Sequence, residues 1–378
     1  MNIMIDTVKL LIKIHDPSRL DGNKFSPVSI EQLVNSRSYG KTSLNPSALY
    51  ARMGKYMPRL TFFKRPSKYG AVYQLAVEFS APKMLFLNNF DELAENDFEE
   101  LLTVLQDKIQ ELLGFKFLKQ VLAGSDVGAW HPSKNIVFID FTSCQMVLNI
   151  ISKLDISHVY DLQKTDFRDG HVVHIHCNSM DIAFYDKMAD LRKSKTSPKR
   201  AIEKDSAIQL NLLTLLEEYR PIDVFRYEVR FVGKASIKRA FPELNEWTFE
   251  NLFKKQLCQN ILIKHWEKVT SSINLLSLDT KEPLELFQNY LIDNPEAGPQ
   301  AALAAIASLL IIRQEGVATL RGTLDSHFGK QVWHRIKKTI KSPSENRFKS
   351  FIHIDEALKR FEPTKMSKFI NNIDINVK

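Results

Sequence analysis

The sequence predicts an α+β fold of mostly antiparallel sheets with helices on one face, possessing a helical C-terminal region and suggesting two similar halves. Three observations predict it. Short apolar–polar alternations recur up to about residue 232. Helix-period segments interrupt them in the order strand–helix–strand–strand–helix–strand, more than once in outline. After Gly233 the alternation gives way to helical periodicity.

Residues 4–14 alternate as a half-buried strand does. Strand candidates follow near 59–64 and 71–79, split by the turn-like Pro66-Ser67-Lys68-Tyr69-Gly70. Residues 91–113 place Leu93, Phe98, Leu101, Leu102, Leu105, Ile109 and Leu112 at helical spacing, with acids early and Gly114 at the stop. Asn135 to Thr142 reads as a strand and 144–154 as a short helix. HVVHIHC and MDIAFYDK read as two strands around Asn178-Ser179. A helix near 201–219 and a strand at 223–232 close this part. Residues 248–267 and 281–292 are amphipathic, and Asn294 to Pro299 marks a boundary. A helix from Ala301 to Gln314, Gly316, and a second helix near 325–341 resemble a helix–turn–helix. The division that results is 1–130, an α+β half with a basic and aromatic segment; 131–233, a catalytic α+β half; and 234–378, helical.

Composition narrows the function. The 378 residues are 44% apolar and 25% charged, as in ordinary globular proteins, and carry a formal net charge of +8. That excess favours a polyanionic partner. Cys144, Cys177 and Cys258 have neither metal-ligand nor redox spacing, so a disulfide framework is not expected. The N-terminus lacks the apolar core of a signal peptide, and the run Ala301–Ile312 is too short to span a bilayer at ~20 residues. The expectation is a cytoplasmic protein with no membrane partner.

Two segments suit nucleic acid. From Gln32 to Val77 there is no Asp or Glu, while Arg37, Lys41, Arg52, Lys55, Arg59, Lys64, Arg65 and Lys68 are interleaved with seven Tyr and Phe residues. Basic side chains follow phosphates and rings stack on unpaired bases; the plainer alternative is that the rings are core. In the C-terminal unit Arg321, Lys330, Arg335, Lys337, Lys338 and Lys341 face a single acid, Asp325, a balance that suits a helix in the major groove.

The chemistry-bearing residues come next. In a strand, alternate residues share a face, so Tyr185 and Lys187 are expected on one side, and Arg226, Glu228 and Arg230 on one side of theirs. Asp140 is an acid in a run that otherwise reads as buried strand. If these strands share a sheet, the groups converge. A phenol is a weak nucleophile at neutral pH, and a nearby lysine or divalent ion favours its phenolate. Asp140 and Glu228, with Asp190 as a further candidate, suit Mg²⁺ or Mn²⁺; Arg226 and Arg230 suit a phosphate. Tyr227 and Tyr160 remain alternative nucleophiles. No GxxxxGK[ST] sequence occurs, so P-loop ATPase activity is not expected.

These stretches resemble the gene II/X family of filamentous-phage and plasmid replication initiators. The likeness runs through Met4-Ile5-Asp6-Thr7-Val8, Ala76 to Lys83, Asn89-Phe90, Phe138-Ile139-Asp140, Tyr185-Asp186-Lys187, Phe225 to Arg230, and the basic segment Ile312–Lys341. It implies rolling-circle initiation: metal-dependent, strand-specific nicking and rejoining of origin DNA through a 5′-phosphotyrosyl link at Tyr185. It also implies double-stranded origin DNA and the nicked single strand as partners, with a host helicase and polymerase, and is compatible with a homodimer. Two other readings stand beside it. His174-Ile175-His176 has the histidine–hydrophobe–histidine form with which another class of nicking enzymes binds a metal, and a non-catalytic DNA-binding regulator would use the same basic segments.

Overall fold

The computed structural model describes residues 5–45, 50, 53–138, 142–157, 159–168, 170–192, 222–271, 283–340 and 349–365. Nine antiparallel strands form one sheet. They are β1 (Ile5–Ile14), β2 (Gly40–Leu44), β3 (Arg59–Ser67), β4 (Gly70–Ser80), β5 (Asp126–Phe138), β6 (Leu162–Arg168), β7 (Val172–Cys177), β8 (Asp181–Asp186) and β9 (Asp223–Arg230), in the order β2-β3-β4-β1-β5-β9-β8-β7-β6. The expected division at residues 130 and 131 falls inside β5, which pairs with β1 on one side and β9 on the other. The first two regions are therefore one sheet. Each carries a three-strand meander, β2-β3-β4 in the first and β6-β7-β8 in the second.

Alternation decides which face is buried. Val8, Leu10 and Ile12 of β1, Phe62 of β3, Leu75 and Val77 of β4, and Phe225, Tyr227 and Val229 of β9 lie in one apolar core. The helices Phe98–Leu113, Cys144–Ser152, Lys255–Val269 and Lys349–Arg360 contribute to that core through Leu105, Val147, Trp266 and Phe351. Phe184 stacks on Tyr227 and meets Trp266 edge-on, which packs β8 and β9 against the Lys255–Val269 helix. The other face of the sheet carries polar side chains, half-buried on β7 and β8 and fully buried at Ser133, Asn135, Arg226 and Glu228 of β5 and β9.

The helical C-terminal region is present but divided. The helices Pro283–Asp293, Pro299–Glu315, Val317–Phe328 and Lys330–Thr339 include a small core of their own, Ile312, Val317, Leu320, Trp333 and Ile340. The flanking helices 255–269 and 349–360 belong instead to the sheet's core. The second helix expected near 325–341 is two helices, broken at Gly329, where φ is +80°. β2 and β6 were not anticipated, and β5 begins nine residues before the expected Asn135. Gly128 and Pro132 disguise it in the sequence. In the fold Gly128 lies beneath Leu11, where a Cβ would come within 2.9 Å of that side chain. The helix expected near 201–219 lies outside the described residues. No helix among the described residues is long and apolar enough to cross a membrane.

Candidate active site

The polar face concentrates its charge where β5, β9, β8 and β7 adjoin. Tyr185 sits opposite Arg226, Ala183 opposite Glu228, and Asp181 opposite Arg230. One strand further, His174 sits opposite Ala183 and His176 opposite Asp181. Pleating sends all of these to one face, since each is separated from the next on its strand by one residue. On β5, Ser133 and Asn135 pair with Glu228 and Arg226. Asp6 arrives by a bulge: between Ile5↔Pro132 and Val8↔Trp130, β1 advances three residues while β5 advances two. Ile5 and Val8 then both face the core, and Asp6 is turned towards Arg226.

Tyr185 is half-buried and its Oη donates to Glu228 Oε1 at 2.5 Å. Burial and the Glu228 charge push the phenol's pKa well up, although Arg226 and Arg230 oppose them. Glu228 behaves in the opposite way. Burial alone would raise its pKa, but Arg230, Arg226 and the Tyr185 hydrogen bond outweigh that and hold it well below the carboxylate range. The phenol is therefore a neutral donor to a fixed carboxylate. Tyr227 is fully buried on the core side and donates to the Leu262 carbonyl, and Tyr160 pairs with His265. Neither shares this face.

Two expected roles change. Glu228 was a metal candidate, but its Oε1 accepts from Tyr185 and from Arg226 Nε at 2.6 Å, and its Oε2 from Arg230 Nε and Nη2 at 2.7 and 2.6 Å. All four lone-pair positions are taken, leaving none for an ion. Arg226 was a phosphate candidate, yet it is 1% exposed. Its remaining donors go to the Asn89 carbonyl, Asn135, Ser133 and Asp6. It is the internal counter-ion of the cluster. Arg230 keeps 29% of its side chain exposed and remains able to meet a ligand.

Lys187 does not continue β8. It opens the helix Lys187–Arg192, so the expected shared strand face with Tyr185 does not form. Its buried ammonium nonetheless lies 5.6 Å from the Tyr185 ring centroid. Burial, with Arg226 adding to it, lowers its pKa to about 7. Asp190, one turn on, is close enough to oppose that shift and lies off the sheet face. Asp140 lies outside the described residues.

A second group lies beside the first. His174, His176 and Asp181 offer ligand atoms within 4.8 Å of one another, the only such set among the described residues. The imidazole centroids are 3.9 Å apart, and His176 reaches Asp181 and Asp166 at 3.2 Å each. Burial, then Arg230 and His176, push His174 down to about 4, so it is neutral at pH 7 with a lone pair to give. His174 and Tyr185 are diagonal neighbours across β7 and β8, ~7–8 Å apart at their Cα atoms. Asp181 was not anticipated as a ligand, though a tight hairpin around Asn178-Ser179 already implied its place opposite His176. Asp6 and the neutral His131, lowered by burial and Arg230, had no local signal.

The basic segments separate by exposure. Arg37, Lys41, Arg65 and Lys68 are exposed. Lys55 is paired with Glu111 at 3.3 Å. Lys64 is 8% exposed and its ammonium donates to the carbonyls of Leu33, Val34 and Ser36, so it closes the end of the Ile30–Asn35 helix and is withdrawn from any phosphate. Arg52 lies outside the described residues. Arg335, Lys337 and Lys338 are exposed on the Lys330–Thr339 helix, whose opposite side buries Trp333. Comparison with protein-family models, curated proteins and solved structures returns no match for this chain.

Proposed function

We propose that this protein nicks one strand of DNA with Tyr185 as nucleophile, in the manner of a rolling-circle replication initiator, and that its divalent ion is held by His174, His176 and Asp181. The observation that carries the reading is the register of β7, β8 and β9, which sets a phenol, a partly exposed arginine and a metal-competent triad side by side on one sheet face. The likeness of the short motifs to gene II/X initiators supports the same chemistry. The histidine–hydrophobe–histidine pair supplies ligands that Glu228, saturated by arginines, does not.

Glu228 fixes the phenol's direction, and Arg226 with Arg230 keeps Glu228 ionised. Arg230 contacts the scissile phosphate. As Oη bonds to phosphorus, the phenol's proton leaves through its hydrogen bond to Glu228, and Lys187, its pKa lowered to about 7 and its ammonium 5.6 Å from the ring centroid, is the proposed final acceptor. The P–O3′ bond breaks and the 3′-oxygen takes a proton from water. A Mg²⁺ or Mn²⁺ ion, when bound, lowers the charge on the phosphate and on the departing oxygen. The phosphotyrosyl bond retains the energy of the broken diester, so attack by a 3′-hydroxyl rejoins the strand.

The test is incubation with Mn²⁺ and a supercoiled plasmid bearing the DNA that flanks the coding sequence, followed by detergent. The expected product is open circle with covalently attached protein, absent for Tyr185→Phe. His174→Ala with His176→Ala should weaken Mn²⁺ binding at least tenfold by electron paramagnetic resonance. A Tyr185→Phe variant that nicks at the normal rate sinks the assignment. Intact supercoils with a mobility shift favour a regulator instead.

A further inference from the structure

We infer that the β3–β4 hairpin tip and the start of β2 form a wing that binds unpaired nucleic-acid strand, remote from Tyr185. The wing deepens the nickase reading but stands on a separate surface. Tyr69 is 91% exposed at the hairpin tip and Tyr39 is 53% exposed just before β2. Neither ring serves the core, unlike Tyr50, Tyr56 and Tyr73 of the same segment, which pack against it. Gly40 pairs with Lys64, which brings Tyr39 level with Arg65. Lys41 pairs with Phe63, and Arg65 lies over the Phe63 ring at 4.6 Å, so Lys41, Phe63 and Arg65 share one face. Arg37 and Lys68 flank the patch, and no acid occurs from residue 32 to 77.

Exposed rings set among cations, without acids, match an unpaired strand better than a duplex. Bases of a single strand are free to stack on the rings while the cations follow its phosphates, whereas a duplex keeps its faces stacked inside. A patch binding only by charge would have no use for a ring held 91% in water. Five strand spacings separate β3 from β8, ~24 Å along the sheet, so the wing holds the strand several nucleotides away from the nick.

The experiment is fluorescence anisotropy with labelled oligothymidylate and with a duplex of equal length, both in EDTA so that no strand is cut. Tyr39→Ala with Tyr69→Ala should weaken oligothymidylate binding tenfold or more and change duplex binding less than twofold. Arg65→Ala with Lys68→Ala should flatten the salt dependence by about 1.4 in log–log slope, for two phosphates of a single strand. Unchanged oligothymidylate affinity in the tyrosine variant, or equal loss on both DNAs, overturns the wing. Binding is read in EDTA and nicking in Mn²⁺, so failure of the nuclease chemistry and failure of the wing give different results.

Discussion

At the scale of residues, the site depends on charges kept in unusual states. Lys187 is the clearest case. Its pKa falls from the ordinary lysine value of 10.5 to about 7, because burial and Arg226 both disfavour the ammonium. Between these values the unfolded chain holds a proton that the folded chain has released, so this group makes stability rise with pH from about 7 to 10.5. In the proposed reaction the neutral amine is also the form that accepts the phenol's proton. The nicking rate should therefore rise through about pH 7, and Lys187→Arg, which stays charged, should lower the rate at least tenfold and remove that limb from the pH–rate profile. Arg226 gives the complementary prediction. Replacing it with Ala leaves half-buried Asp6 without its arginine and buried Glu228 with Arg230 alone, at a cost of about 3–5 kcal/mol. Urea unfolding measures this, and a loss under 1 kcal/mol would contradict the internal counter-ion role.

At the scale of elements, Lys64 shows how a residue type misleads until its partners are known. In the sequence it is one cation among eight, suited to a phosphate. In the fold its ammonium ends a helix by bonding three carbonyls. Lys64→Met should cost about 1.5–3 kcal/mol of stability, the worth of hydrogen bonds to a charged group, and leave DNA affinity within twofold; lost affinity at full stability would restore the phosphate role. The same contrast governs what was legible. β7, β8 and β9 were readable as short runs rich in β-branched and aromatic residues bounded by polar turns, and the two-residue period within them put Tyr185, Arg226, Glu228 and Arg230 on the right faces. β5 was half hidden by Gly128 and Pro132, and β2 and β6 are short and polar. Asp6 depends on a bulge and Asp181 on pairing across a hairpin, both properties of two chain segments at once. Glu228 was found in place but not in role, because saturation by two arginines is invisible until the side chains are packed.

At the scale of the whole molecule, two basic surfaces are held by different means. The wing is part of the sheet. The Lys330–Thr339 helix belongs to the small C-terminal core and reaches the sheet domain through the turn after the Cys144–Ser152 helix. There Val317 N donates to the Lys153 carbonyl, Lys153 Nζ to the Arg313 carbonyl, and Arg321 Nη1 bonds Asp155 at 2.9 Å and Ser157 at 3.2 Å. Gly316, at φ +91°, lets the chain pass so close to Lys153 that a Cβ would sit 3.1 Å from its backbone. This narrow joint fixes the helix while leaving Arg335, Lys337 and Lys338 facing outwards. An exposed cationic helix of ten residues, ~15 Å long, suits a duplex major groove. Lys337→Ala with Lys338→Ala should then weaken duplex binding and reduce its log–log salt slope by about 1.8 for two phosphates, while oligothymidylate binding at the wing stays within twofold. If the double variant binds both DNAs as wild type, this helix is a solvated face of the small core and the duplex is gripped elsewhere.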